Sequence, residues 1–342
     1  MVESVNYGQV EPRFSDRVIE DYETLIITEH GKVTNRESAE KQIEVLKSFE
    51  EFFDVVTIKT SADPLVTRER IRQAQGGKPE LSIVAMGTGD GSTDSALYET
   101  LGNGALFYKL RAGNANNIGR ACFQLWYRGN PELIFARGRI AKAKPIVCTV
   151  TDENGNPKYE FLALDEFEVG EPSAATRKLN HPDVRDKKES LGFVKRTLVD
   201  IKVSSKAALE SPPFSVKWGS RDPTITTEQD ERPSVNYRAL AFSNIGHIAK
   251  LGRIKDIHMT DSKMVQLNNQ SRSRLGSMAY YGHFFTGQKG IDIPDGVEID
   301  FDVLTPTVMD RSGDDYDVAA GDHFHLSRSE EEVLVYTTRR KP

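Results

Sequence analysis

Apolar residues change their spacing near residue 140, and the change divides the chain into two parts of different architecture. Before it, short apolar runs alternate with stretches in which apolar positions recur three or four apart. Thr24-Leu25-Ile26-Ile27-Thr28 is rich in β-branched side chains, which suit a pleated surface. Thr34 and Glu37 have capping-box spacing, and Ile43, Leu46, Phe49 and Phe53 follow at helical intervals. Asp54 to Thr60 predicts a second strand, residues 65–75 a charged helix, and Leu81 to Met86 a wholly apolar third strand. Such β-α-β-α-β order calls for a parallel sheet covered on both faces, with ligands at the carboxyl ends of its strands.

Beyond residue 140 strand signals dominate. Pro145 to Thr151 and Lys158 to Leu164 flank an Asn154-Gly155 step that predicts a hairpin. Further strands are expected at Val199 to Val203, Val235 to Phe242, Val297 to Leu304 and Glu332 to Thr338. Polar, proline-bearing stretches at 171–190 and 210–234 read as lobe-connecting or substrate-facing loops or as disorder, and Met278 to Phe285 as sheet core ahead of a lipid pocket. The expected organisation is an N-terminal extension over 1–20, an α/β domain over 21–140 and a β-rich domain over 141–342, with its long loops at about 171–234.

A chain of 342 residues has room for two packed domains and a cleft between them. Its net charge of −6, from 45 basic and 51 acidic residues well mixed, gives no overall field toward nucleic acid. Cys122 and Cys148 form no C-x-x-C pair, so a disulfide framework or a cysteine zinc site is not expected. The start lacks a basic stretch followed by an apolar run, and no window reaches the ~20 apolar residues of a membrane span. The expectation is a soluble, cytoplasmic protein with no transmembrane segment and no nucleic-acid partner. His258, His283, His323 and His325 form no H-E-x-x-H, and His323 and His325 share one face of a strand, which favours surface histidines over metal ligands. The Arg339-Arg340-Lys341 tail reads as solvated.

The chemistry concentrates in two turns. Gly87-Thr88-Gly89-Asp90-Gly91-Ser92 stands between the apolar strand and a helical run. Its glycines let the backbone approach a ligand, and free helix N–H groups suit an anion. It is neither a Walker A loop nor G-x-G-x-x-G. Asp90 would repel phosphate unless a metal ion or a transferable proton intervenes, which makes it the candidate reactive carboxylate. A second turn, Arg111 to Arg120, follows the strand expected at Ala105 to Leu110; three asparagines and two arginines there offer donors to a phosphate or a ribose.

These residues resemble the diacylglycerol kinase catalytic family, which includes sphingosine and ceramide kinases and bacterial lipid kinases. Thr88-Gly89-Asp90-Gly91-Ser92 is similar to its G-G-D-G-T turn, and Arg111 to Asn117 to the P-x-G-T-x-N-D motif some two dozen residues later. Ile26 to Lys32 resembles the first strand and N-P-x-x-G-K turn, Thr60 a nucleotide-contacting threonine, and Ala320-Gly321-Asp322 the late D-G-E motif. The resemblance covers 24–121 closely and the rest faintly. It implies an α/β Rossmann-like nucleotide domain, a C-terminal β-sandwich, and ATP and Mg²⁺ in the cleft between them. Carried over by position, Gly87, Thr88, Gly89, Gly91 and Ser92 surround the phosphates, Gly113, Asn114 and Asn116 support the nucleotide, and Lys32 and Thr60 are peripheral. Asp90 and Asp322 are the implied catalytic carboxylates, Asp322 also the metal ligand. Ala320 and Asp322 replace the Asp and Glu of D-G-E, Asn117 an Asp, and Glu29 a nucleotide-binding Asn.

The expected activity is transfer of the ATP γ-phosphate to a hydroxyl of a diacylglycerol- or sphingoid-type lipid at a membrane surface, with a homodimer left open. Two alternatives stand beside it. One is a kinase of a soluble hydroxyl compound, since NAD kinases share the G-G-D-G core; the other is a nucleotide-binding regulatory protein of the same fold.

Overall fold

The computed structural model describes residues 14–29, 36–61, 63–87, 93–110, 117–123, 130–189, 191, 193–219, 234–248, 252–311 and 314–338. Its first part follows the hydrophobic pattern closely. Strands β1 (Thr24–Glu29), β2 (Asp54–Lys59), β3 (Ser82–Gly87) and β4 (Leu106–Lys109) alternate with helices α1 (Arg36–Lys47), α2 (Pro64–Gln75) and α3 (Thr93–Tyr98). Asp63 opens α2 by accepting the Leu65 N–H at 2.9 Å, Pro64 fills the first position, and Gly76 closes it at φ +58°. Helices α4 (Asn117–Cys122) and α5 (Pro131–Arg137) and strand β5 (Arg139–Ala143) follow.

The second part is a sandwich built on β6 (Ile146–Thr151), β7 (Pro157–Ala163), β8 (Glu166–Gly170), β9 (Phe214–Trp218), β10 (Val235–Tyr237) and β11 (Ala239–Ser243). A short ribbon, β12 (His247–Ile248) and β13 (Gly252–Arg253), leads to β14 (Lys263–Asn269) and β15 (Ile291–Pro294). The chain closes with β16 (Ile299–Val303), β17 (Thr307–Arg311), β18 (Asp314–Val318), β19 (His323–Arg328) and β20 (Val333–Thr337). The hairpin forms as predicted from β6 and β7, with Gly155 at φ +81° in its turn.

One six-stranded sheet, ordered β2-β1-β3-β4-β20-β5, is parallel except at its β5 edge. Two further six-stranded sheets, β10-β9-β16-β19-β6-β7 and β15-β14-β11-β8-β17-β18, are antiparallel and face each other. Phe167, Phe242, Phe301 and Phe324 meet between them, the last two stacked at 4.8 Å between ring centres. Leu162, Leu164, Ile245 and Met259 of the sandwich side are buried in the core of the α/β domain, so the two parts share packing. The last strand, β20, returns to the first sheet, and Ser15 donates its N–H to Ile140 O at 2.9 Å along β5. Ser15 and β20, outside the expected 21–140, thus pair with this first sheet.

Three expectations are corrected. Residues 171–190 are helical: α6 (Glu171–Asn180) and α7 (Pro182–Glu189) precede α8 (Phe193–Glu210). Their prolines stand in first turns, where no N–H donor is required. Val199 to Val203 lies within α8, whose Asp200 and Ala207 turn inward one above the other at helical spacing. Met278 to Phe285 belongs to helix α9 (Arg274–Thr286), started by Ser273 accepting the Gly276 N–H at 3.1 Å. Residues 220–233 lie outside the described residues.

Candidate functional site

In the parallel sheet, β1 lies between β2 and β3, so successive crossovers run in opposite directions on its two sides. Such a reversal opens a crevice at the carboxyl ends, here between β1 and β3. Gly87 ends β3 at that edge, and a Cβ on it would lie 2.5 Å from Thr28 O and 3.0 Å from Ile43 Cδ1. Glycine is required there by close packing of β1, β3 and α1. Thr28 fastens the same edge: its Oγ1 accepts the Gly87 N–H and donates to Ala85 O, both at 3.3 Å. Thr60 follows β2 on this edge and gives both N–H and hydroxyl to Glu29 O, at 2.9 and 3.2 Å. Glu29 in turn accepts Lys47 Nζ at 2.7 Å.

Lys32, Thr88, Gly89, Asp90, Gly91, Ser92, Gly113, Asn114 and Asn116 lie outside the described residues. The residues that bracket them do not. Helix α3 starts at Thr93, directly after 88–92, and its second residue, Asp94, contacts the sandwich twice. Asp94 Oδ1 accepts the Leu162 N–H at 3.2 Å, and Oδ2 is paired with Arg311 of β17. Burial pushes the Asp94 carboxyl up against the pull of Arg311. Burial would lower the guanidinium, but Asp94 and Tyr316 hold it above its ordinary value. Arg311 also lies over the rings of Phe161 and Tyr316, at 5.5 and 6.0 Å. Helix α4 starts at Asn117, directly after 111–116, and Asn117 Nδ2 donates to Glu166 Oε1 of β8 at 2.9 Å. Both helix starts are thus fixed to neighbouring sandwich strands.

On β8, Phe167 and Val169 enter the sandwich core, so Glu166 and Glu168 share the outer face. Glu168 stands opposite Ala241 of β11 and Asp310 of β17 in the ladders. It is 6 % exposed, and burial reinforced by the charge of Asp165 pushes its carboxyl up to about 7. Glu171, at the head of α6, is fully buried and saturated instead. It accepts Arg238 Nη1 at 2.9 Å, Ser277 Oγ at 2.5 Å, Tyr281 OH at 3.1 Å and Asn269 Nδ2 at 3.3 Å.

The structure does not bring Asp322 to these helix starts. It lies in the turn before β19, beside the β6–β7 hairpin turn, and His323 pairs with Thr151 at the hairpin's outer end. Leu162, which meets Asp94, pairs with Val147 at the inner end. Asp322 is buried, accepts Lys158 Nζ at 2.6 Å and caps the Ala319 N–H at 2.8 Å. With a lysine in direct contact it does not suit a cation. The carboxylates at the helix starts, Asp94 and Glu166, were not among the sequence candidates, nor was Glu168 on the same strand face as Glu166. The alternation Glu166-x-Glu168 inside an apolar run, Phe161 to Val169, was the available signal. His323 and His325 bond Asp302 and Asp300 of β16, at 2.8 and 2.7 Å, on one face of β19.

Among the described residues no group of three or more His, Cys, Asp or Glu could hold a metal ion, and no helix is long and apolar enough to cross a membrane. A concavity of about 520 Å³ lined by Glu50 to Val55 opens at the amino end of β2, away from the crevice.

No family model and no curated protein matches the sequence. Solved structures do match its fold. A protein of Bacillus anthracis strain Sterne described as a diacylglycerol kinase superposes with a TM-score of 0.58 at 14% identity, covering 89% of this chain and 94% of the other. Another structure so described, from the same organism, gives 0.54 at 12% identity, covering 92% and 96%. Yeast NADH kinase in complex with NADH gives 0.53 at 9% identity, covering 94% and 84%. At these identities the likeness is one of fold, and it spans both domains.

Proposed function

For a chain with the fold of the diacylglycerol and NAD kinases, we propose an ATP-dependent phosphotransferase that moves the γ-phosphate onto a hydroxyl group, with a lipid as its acceptor. The observation that carries the reading is the paired docking of Asp94 on Arg311 and Asn117 on Glu166. The segments that precede these two helix starts, 88–92 and 111–116, carry the glycine and asparagine motifs, and both docking contacts lie between the two domains. Phosphoryl transfer asks mainly for positioning and charge neutralisation, which a fixed two-sided cleft supplies.

In this reading Gly89, Gly91 and Ser92 cradle the phosphates, Gly113 and Asn116 support the nucleotide, and Asp90 is the carboxylate at the transferred group. Magnesium keeps most of its shell as water and phosphate oxygen, so one protein carboxylate is enough to hold it. Asp94 is occupied by Arg311 and Asp322 by Lys158, and this reading gives that place to Asp90. The ion, when bound, neutralises charge on the phosphates. Ser92 and the turn backbone orient them, while Thr60, tied to Glu29, shapes the edge of the crevice. A soluble acceptor is the second reading, favoured by the fold shared with the yeast enzyme over 94% of this chain.

The experiment supplies labelled ATP with Mg²⁺ to the purified protein, once with a mixed lipid extract and once with soluble alcohols that include NAD(H). Labelled lipid that disappears in Asp90→Asn is the expected result. Label in a soluble product moves the acceptor to the second reading. ATP binding without transfer to any acceptor rules out the phosphotransferase.

A further inference from the structure

Within the phosphotransferase reading, on which this role rests, we propose that the Glu168 carboxylate takes the proton from the acceptor hydroxyl as that oxygen attacks the γ-phosphorus. The acceptor then lies over the outer face of β8 and β11, beside α9.

Glu168 is more than nine-tenths buried; its backbone carbonyl accepts Ser173 Oγ at 2.9 Å, while no described side chain donates to its carboxylate. Its neighbour on the same strand face, Glu166, bonds Asn117, and Glu171 accepts four donors. A second acceptor on this side also lacks a donor, the buried Gln288 Oε1. Tyr280 connects the two: Gln288 hydrogen-bonds its hydroxyl, and the Glu168 charge acts on it. An acceptor without a donor and a buried carboxylate, both beside Tyr280, suit a ligand that brings a donor, and a hydroxyl is such a ligand.

Place and proton affinity agree with this. Glu168 is two residues along β8 from Glu166, roughly 7 Å, and thus one step from the Asn117 contact. Asp310 opposes it on β17. The titratable groups beside it are Asp165 just before β8, Glu166 two residues back on the same face, Asp310 opposite on β17, and Tyr280 and Tyr281 on α9. All are acidic or neutral, and burial holds the Glu168 carboxyl near 7, where a general base works at neutral pH. In the step, the acceptor oxygen forms a bond to phosphorus and its proton passes to Glu168. The bond from phosphorus to the β,γ-bridging oxygen breaks, and ADP leaves with that electron pair.

The test compares wild type and Glu168→Gln for transfer from ATP, with the lipid extract and the soluble alcohols as acceptors, from about pH 5 to about pH 9. ATP binding is measured in parallel by calorimetry. Wild-type kcat/KM is expected to rise with pH through an apparent pKa near 7. E168Q is expected to lose on the order of 10²–10⁴-fold in rate, lose that rising limb, and bind ATP like wild type. E168Q with wild-type rate and pH limb overturns the role of Glu168 and leaves the phosphotransferase intact. Lost ATP binding in folded E168Q also overturns it, because the residue is then structural. If E168Q does not fold, Glu168→Asp replaces it. A lowered kcat with the limb retained supports the role, and a wild-type kcat overturns it. Wild type that transfers to no acceptor overturns the phosphotransferase reading and this role together.

Discussion

Two glutamates three residues apart divide the tasks of a buried carboxylate. Glu171 meets an arginine, an asparagine, a serine and a tyrosine, and ties α6, the residue between β10 and β11, β14 and α9 together. The Glu168 carboxylate accepts from none of these, and it is raised from 4.5 to about 7, chiefly by burial. The folded state therefore holds the Glu168 proton more tightly than the unfolded chain does. Its stabilising share is complete below pH 4.5, declines as pH rises, and is gone above about 7. A shift of this size corresponds to about 3 kcal/mol. Urea unfolding should find Glu168→Gln close to wild type near pH 4.5 and more stable than wild type by about that amount at pH 8. Equal stability of the two proteins across this range would show that Glu168 is solvated or paired. Gain of stability with loss of rate is the combination expected of a functional group held against the preference of the fold.

At the scale of elements, the cleft depends on two short helices anchored at their first turns. Asp94 and Arg311 are 217 positions apart in sequence, yet their contact joins α3 to β17. Arg311 is 5 % exposed, so removing either partner leaves a charge in a dry site. Arg311→Met should cost about 3–5 kcal/mol, and Asp94→Asn combined with it should recover a large part. A double-mutant cycle by urea unfolding checks this; additive losses would mean that the contact does not couple the two elements. Sequence showed only half of this arrangement. The β-α-β-α-β order was legible because β1 and β3 each carry an apolar run, Leu25 to Ile27 and Ile83 to Met86, and α2 carries its own start and stop residues. Val199-x-Ile201-x-Val203 imitated a strand because β-branched residues alternate there, while the inward turn of Asp200 and Ala207 fits only a helix. Asp322 resembled a motif locally, but tertiary contact with Lys158 decides its role. The docking of Asn117 on Glu166 spans 49 positions, and no local spacing encodes it.

At the scale of the molecule, the sandwich is an insertion into the α/β domain. The chain leaves the parallel sheet after β5, builds both antiparallel sheets, and returns through β20 between β4 and β5. Val333, Val335 and Tyr336 of β20 are buried in the core that also contains β1, β3 and β4. Burying a large apolar side chain contributes about 1.5–3 kcal/mol, so the three together approach the whole stability of an ordinary domain, about 5–15 kcal/mol. Ending the chain at residue 330 removes β20 and leaves β4 and β5 without the strand that joins them. Such a truncation should lose the folded α/β domain even though every motif residue from 24 to 121 is present. Circular dichroism and limited proteolysis check this, and a protease-resistant truncated protein that still binds ATP would refute it. The same topology predicts that ATP, although its proposed contacts lie in the first 121 residues, raises the unfolding temperature of both domains in one transition. With Leu162 and Leu164 buried in the α/β core and Arg311 holding α3, the sandwich cannot unfold and leave the nucleotide crevice assembled.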